Sequence, residues 1–125
     1  MSRITALQDY LSSYNAHDIT KINDFLHPKC RVIFNGHLVL DGAEAMRHTY
    51  EQDFLHSNAS ATLLEHSYDN GDEDRIRALI RTTHNNHLID VTYVFEPNEN
   101  GDGNSKQRMI EHIIHSVTHN RDENK

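Results

Sequence analysis

Eleven histidines and one carboxylate set in an apolar run are the residues most able to do chemistry in this 125-residue chain. His84 with His87, and His112, His115 and His119, are the sets whose spacing could gather around a metal ion. There is no His-Glu-x-x-His pattern and no pair of cysteines, so no metal is expected. On a helix the last three histidines would share a side, and a metal would then be more plausible. Asp90 lies in Leu88-Ile89-Asp90-Val91-Thr92-Tyr93. An acid there is either a pocket base or an outward-facing polar residue, and alternation with Ile89, Val91 and Tyr93 favours the outward side. His66 has the same two readings. Tyr14, Tyr50 and Phe54 fall on the apolar sides of helical patterns, where packing is their ordinary role.

Other chemistries find no support. No glycine loop cradles a phosphate, and Gly101-Asp102-Gly103 sits in a polar stretch with no helix after it. No nucleophile elbow is present, and no cofactor is expected. The formal net charge of −7 would repel phosphate backbones and anionic membranes. Arg75, Arg77 and Arg81 could form a local basic stripe, but they also read as a solvated strand face. The one cysteine, Cys30, excludes an internal disulfide and fits a reducing compartment. With no apolar run of signal or membrane-spanning length, a cytoplasmic protein is expected.

The elements that must position these residues are legible in outline. Ile4, Leu7, Leu11 and Tyr14 recur at helical spacing. Asp18 is a good cap for a second, short helix carrying Ile19, Ile22, Phe25 and Leu26, which His27-Pro28 ends. Arg31 to Phe34 and His37 to Leu40 form a hairpin about Asn35-Gly36. Asp41 with Glu44 matches a capping box for a third helix running to about His56, with Ala43, Met46, Tyr50 and Phe54 on its stripe. Gly42→Val should therefore destabilise by crowding that helix start. Strands follow at 60–68, 74–84 and 87–96, then a polar loop over 97–105. Residues 107–119 fit a helix by the spacing of Ile110, Ile113, Ile114 and Val117. Their β-branched content and the preceding meander favour a strand. As a strand it places His115 and His119 beside Val117, with His112 pointing the other way. Residues 1–119 read as a single domain and 120–125 as a charged tail.

In this order the elements resemble the SnoaL-like branch of the nuclear transport factor 2-like superfamily. Four stretches carry the likeness: Tyr14-Asn15-Ala16-His17-Asp18, Phe25-Leu26-His27-Pro28-Lys29-Cys30-Arg31-Val32, Leu40-Asp41-Gly42-Ala43-Glu44-Ala45-Met46, and Met109-Ile110-Glu111-His112. The resemblance covers residues 4 to 119. It implies an α+β cone, with three N-terminal helices packed on a curved antiparallel sheet around an apolar pocket. It also implies a homodimer paired through the outer sheet face. Known activities of this family include polyketide cyclisation, isomerisation, dehydration and epoxide hydrolysis. The resemblance points to a protein that binds an apolar carbonyl compound and moves protons on it. His112 is then the candidate base and Tyr14 the candidate donor, with Tyr50, Phe54, His66 and Asp90 as pocket candidates. One departure stands out. The family's stretch is often followed by an acid deeper in the last strand, where this chain has Ile113, Ile114, His115 and Ser116. That departure leaves room for an alternative, a non-catalytic binding or protein-interaction module of the same fold.

Overall fold

The computed structural model describes residues 2–83, 86–97 and 107–119. Helix α1 (Arg3–Asn15) opens on Ser2, whose hydroxyl accepts from the Thr5 amide at 3.1 Å. Its buried side carries Ala6, Leu7, Tyr10, Leu11 and Tyr14, the one-sided spacing that a core-facing helix needs. Helix α2 (Ile19–Asp24) is capped by Asp18, whose carboxylate accepts from the Lys21 amide. Strand β1 (Leu26–Phe34), strand β2 (His37–Asp41), helix α3 (Ala43–His56) and strands β3 (Ala61–Asp69), β4 (Asp72–Thr82), β5 (His87–Phe95) and β6 (Met109–His119) complete the chain order. The expected helix–helix–hairpin–helix–meander sequence is thus present, and 109–119 is a strand. The stretches 98–106 and 120–125 lie outside the described residues, as do His84 and Asn85.

The six strands form one sheet in the order β2-β1-β6-β5-β4-β3. All neighbours are antiparallel except β1 and β6, which run parallel, so the N-terminal hairpin lies beside the last strand. Helix-side positions of the sheet (Val32, Ile76, Ala78, Ile80, Val91, Tyr93, Phe95) join the apolar sides of α1 and α3 in a continuous core. Two turns carry the positive φ pair of a tight hairpin: Asn35 and Gly36, at 55° and 80°, and Asn70 and Gly71, at 54° and 76°. Asparagine and glycine tolerate this conformation best.

Three local expectations are corrected. First, β1 starts at Leu26, not Arg31. Its pairing with β6 is interrupted between Leu26 and Arg31, and its pairing with β2 begins only at Arg31. Pro28 therefore deprives no ladder of a donor. Second, Asp41 does not cap α3. It ends β2, and Gly42 is the cap residue, with no side-chain cap bond. Gly42 sits at φ 102° and ψ 151°, a region essentially confined to glycine. A Cβ there would meet only the Pro28 carbonyl, at an ordinary 3.7 Å. Gly42→Val is still expected to destabilise, by about 1–3 kcal/mol, through backbone strain and not through crowding. Thermal denaturation checks this, and an unchanged midpoint would rule out the strained geometry. Third, the faces of β6 do not alternate throughout. Ile114 pairs with Val91 and Ser116 with Asp90, so His115 is an extra residue between them. This bulge brings Val117 opposite Ile89 and so onto the face that His112 shares. His115 instead reaches Thr92 on the outer face, with 2.7 Å from Nε2 to the hydroxyl.

Candidate functional site

Between α1, α3 and the concave sheet face lies a cavity of about 270 Å³. Its walls are mostly aliphatic, with Leu11, Val32, Met46, Ile80, Val91 and Ile114 among them. The polar atoms come from four tyrosines (Tyr10, Tyr14, Tyr50 and Tyr93), with Asp53, Thr82 and His112. The volume falls just below the usual span for ligand sites, about 300–1,000 Å³, so the space suits a small ring compound.

Tyr10 and Tyr14 are one helical turn apart on α1, and Met46, Tyr50 and Asp53 follow one another along α3. Spacings of three and four residues place such side chains on one face. Tyr10 and Tyr50 join the two helices through a hydrogen bond between their hydroxyls. His112 enters from β6, directly across from Tyr93 on β5. Its ring packs edge-on against Tyr93, with centroids 4.8 Å apart, and against Tyr10 at 5.8 Å. His112 is 6% exposed, and its Nε2 is buried with no hydrogen-bond partner.

Burial sets the charge state of these groups. Desolvation disfavours the cation, so the pKa of His112 is depressed to about 3 and the ring is neutral at pH 7. The Tyr14 phenol is pushed up to about 12, first by burial and then by the negative charge of Asp53. Burial also raises Tyr10, Tyr50 and Tyr93. The four tyrosines and His112 are thus uncharged at pH 7. They offer hydroxyl groups that keep their protons and an imidazole that lacks one partner.

The structure brings Tyr14, Tyr50 and His112 together in this cavity. Phe54 is absent from the lining. It packs against Tyr14 at 5.2 Å and stacks on His17 at 4.2 Å, so it supports the wall from behind. His66 and Asp90 fall outside the cavity. His66 is exposed on the edge strand β3. Asp90 points to the outer face, where Arg77 donates to its two oxygens at 2.6 and 2.8 Å. That pairing lowers the Asp90 pKa, the reverse of what a cavity base needs. Among the described residues, no group of three His, Cys, Asp or Glu side chains could hold a metal ion. His87 and His119 do meet, with ring centroids 5.2 Å apart.

Four polar lining residues were not among the sequence candidates: Tyr10, Asp53, Thr82 and Tyr93. Tyr10 is four residues before Tyr14, and Asp53 three after Tyr50, so helical spacing alone would have found them. Tyr93 alternates with Val91 along β5.

No family model matches this chain, and no curated protein does. Solved structures do. A nuclear transport factor 2-like protein of unknown function from Cytophaga hutchinsonii superposes with a TM-score of 0.70 at 8% identity, covering 92% of this chain and 89% of that one. The fold is nuclear transport factor 2-like. Two further structures share this fold. A SnoaL-like protein of unknown function from Burkholderia thailandensis matches with a TM-score of 0.66 at 14% identity, over 88% of this chain and 92% of its own. SalBIII, an epoxide hydrolase/cyclase-like enzyme with a role in pyran ring formation in salinomycin, matches with a TM-score of 0.72 at 11% identity, over 93% and 94%. Identities this low establish the nuclear transport factor 2-like scaffold and leave the chemistry to the residues of the cavity. No helix among the described residues is long and apolar enough to cross a membrane.

Proposed function

We propose that this protein binds a small apolar compound bearing a carbonyl or hydroxyl group and catalyses proton transfer on it, as an isomerase, cyclase or dehydratase does. The observation that carries this reading is a neutral histidine, His112, that lines an apolar cavity and keeps a buried Nε2 without a partner. A buried polar atom without a partner costs roughly 1–3 kcal/mol, and a ligand oxygen at that position would remove the cost. The neutral ring keeps one nitrogen lone pair, which a ligand seated against His112 would meet. That lone pair accepts a proton from the carbon beside a bound carbonyl, and the C–H electron pair becomes the C=C bond of an enolate. Hydrogen-bond donation from the Tyr10–Tyr50 pair, or from Tyr14, stabilises the charge that develops on oxygen. The imidazolium and the enolate, formed together in a medium of low dielectric, stabilise each other. SalBIII, described as epoxide hydrolase/cyclase-like, shows that the scaffold is compatible with chemistry on oxygenated carbon skeletons.

One observation favours a second reading, a binder without catalysis. A histidine with a pKa of about 3 is a weak base against a C–H bond, and its Nε2 has no carboxylate partner to strengthen it. Deuterium exchange at the α-carbon of 2-tetralone in D2O, followed by NMR, separates the two. Catalysis predicts exchange above the buffer rate that falls at least about tenfold in His112→Phe. Binding of the ketone without exchange supports the binder. Absence of both binding and exchange sinks the proposal.

A further inference from the structure

The cavity has a charge pattern that narrows its ligand further. Among the described residues, Asp53 is its one carboxylate, and no lysine or arginine lines it. His112 adds no positive charge because burial holds it neutral. An anionic ligand would find no counter-charge in this space and would meet one like charge. The rings nearest Asp53 are aromatic: Tyr50 stands one helical turn before it, and Tyr14 is close enough to feel its charge. Tyr14 and Tyr50 pack edge to face with centroids 5.8 Å apart. A carboxylate among phenol rings is the pairing that recognises an organic ammonium group, through Coulomb attraction and the negative ring faces together. The formal charge of −7 on the whole chain would draw cations toward it as well.

From this arrangement we propose that the ligand carries a basic amine. The ammonium group sits beside Asp53 and the rings of Tyr14 and Tyr50, while the uncharged oxygen reaches His112. The inference rests on the small-molecule reading of the cavity and adds Asp53 as its specificity-determining residue. The backbone at Asp53 is held in place. It lies in the last turn of α3, where its carbonyl accepts from the Ser57 amide and hydroxyl at 3.0 and 2.8 Å. Its carboxylate need not be free of other contacts, since two oxygens offer about four acceptor positions.

Three probes share a phenol ring and differ in the charge at the end of the tail: tyramine (cationic), 4-propylphenol (neutral) and 4-hydroxyphenylacetate (anionic). Titration calorimetry or saturation-transfer NMR reads their affinities. Tyramine is expected to bind about tenfold more tightly than 4-propylphenol, and 4-hydroxyphenylacetate more weakly than both. Asp53→Asn should bring tyramine down to the level of 4-propylphenol while 4-propylphenol itself holds, which also shows that the variant is folded. Asp53→Glu should keep the cation preference. If wild-type protein binds 4-propylphenol as tightly as tyramine, or Asp53→Asn keeps the tyramine advantage, the amine inference falls and the pocket reading stands. If none of the three binds, both fall.

Discussion

Acidification from pH 7 to pH 4 is expected to cost the native protein about 3 kcal/mol through His112 alone, and His112→Phe should abolish that loss. In the unfolded chain His112 takes up a proton near its ordinary pKa of about 6.5. In the folded cavity it stays neutral until about pH 3. Between those limits the unfolded state binds the extra proton, so stability rises with pH through this window. The contribution is fully present above about 6.5 and declines as pH falls toward 3. Tyr10 and Tyr93, the rings in contact with His112, keep their protons throughout, because burial raises both. The Arg77–Asp90 pair follows a different course. Its carboxylate is lowered from 3.8, so its contribution is lost as pH falls through that value, at the acid end of the window, and it is lost equally in both proteins. Urea denaturation at pH 7, 5.5 and 4, run on both proteins, isolates the term. Phenylalanine also removes the unpartnered nitrogen, so His112→Phe should be no less stable than wild type at pH 7. Parallel acid losses in the two proteins would mean that His112 is not held neutral, and the charge argument for the cavity would go with it.

Arg3→Ala is expected to lower stability by roughly 2–4 kcal/mol, a fall of roughly 10 °C in Tm for a domain of this size. Arg3 is an arginine at the first position of α1, yet it is only 7% exposed. Its Nε and one terminal nitrogen donate to Asp74 on β4 at 3.1 and 2.9 Å, and the same terminal nitrogen donates to the Glu96 carbonyl at 2.6 Å. The other donates to Gln107 at 3.0 Å. The guanidinium also lies over the Phe95 ring, 5.0 Å from its centroid. One side chain thus ties the N-terminus to β4, to the end of β5 and to the approach to β6. Removing it leaves a carboxylate and a carbonyl short of donors and uncovers Phe95. Asp74 is partly solvated, which keeps the loss below that of a fully buried pair. Arg3→Lys should fall between the two, since an ammonium cannot reproduce the planar fork. A Tm for Arg3→Ala within a degree or two of wild type would show the network to be dispensable.

The two predictions sit at opposite ends of what a sequence can disclose. Asn35-Gly36, the cap at Asp18 and the stripe of α3 are local signals. Each works within a few residues, and each stands in the structure where pattern and turn chemistry put it. The β-branched run of 109–119 likewise forms a strand. Arg3 gave no such signal, because its partners are 71, 93 and 104 residues away and burial of a charge depends entirely on them. Gly42 escaped for a related reason: a capping-box pattern was visible at Asp41, but the path from β2 into α3 set the backbone angles. His112 shows the division most clearly. Alternation correctly set its face against that of His115, but the bulge at His115 returned Val117 and His119 to the side of His112, and no local preference announces a bulge. Periodicity and turn chemistry therefore determined the elements and their order, and the resemblance carried by four short stretches pointed to the scaffold. Tertiary structure decided which polar atoms converge, that His112 is left neutral and unpartnered, that Asp53 joins the tyrosines, and that Asp90 turns to Arg77. Secondary structure follows from short-range sterics and hydrogen bonding, whereas a site depends on the register and burial of strands far apart in the chain.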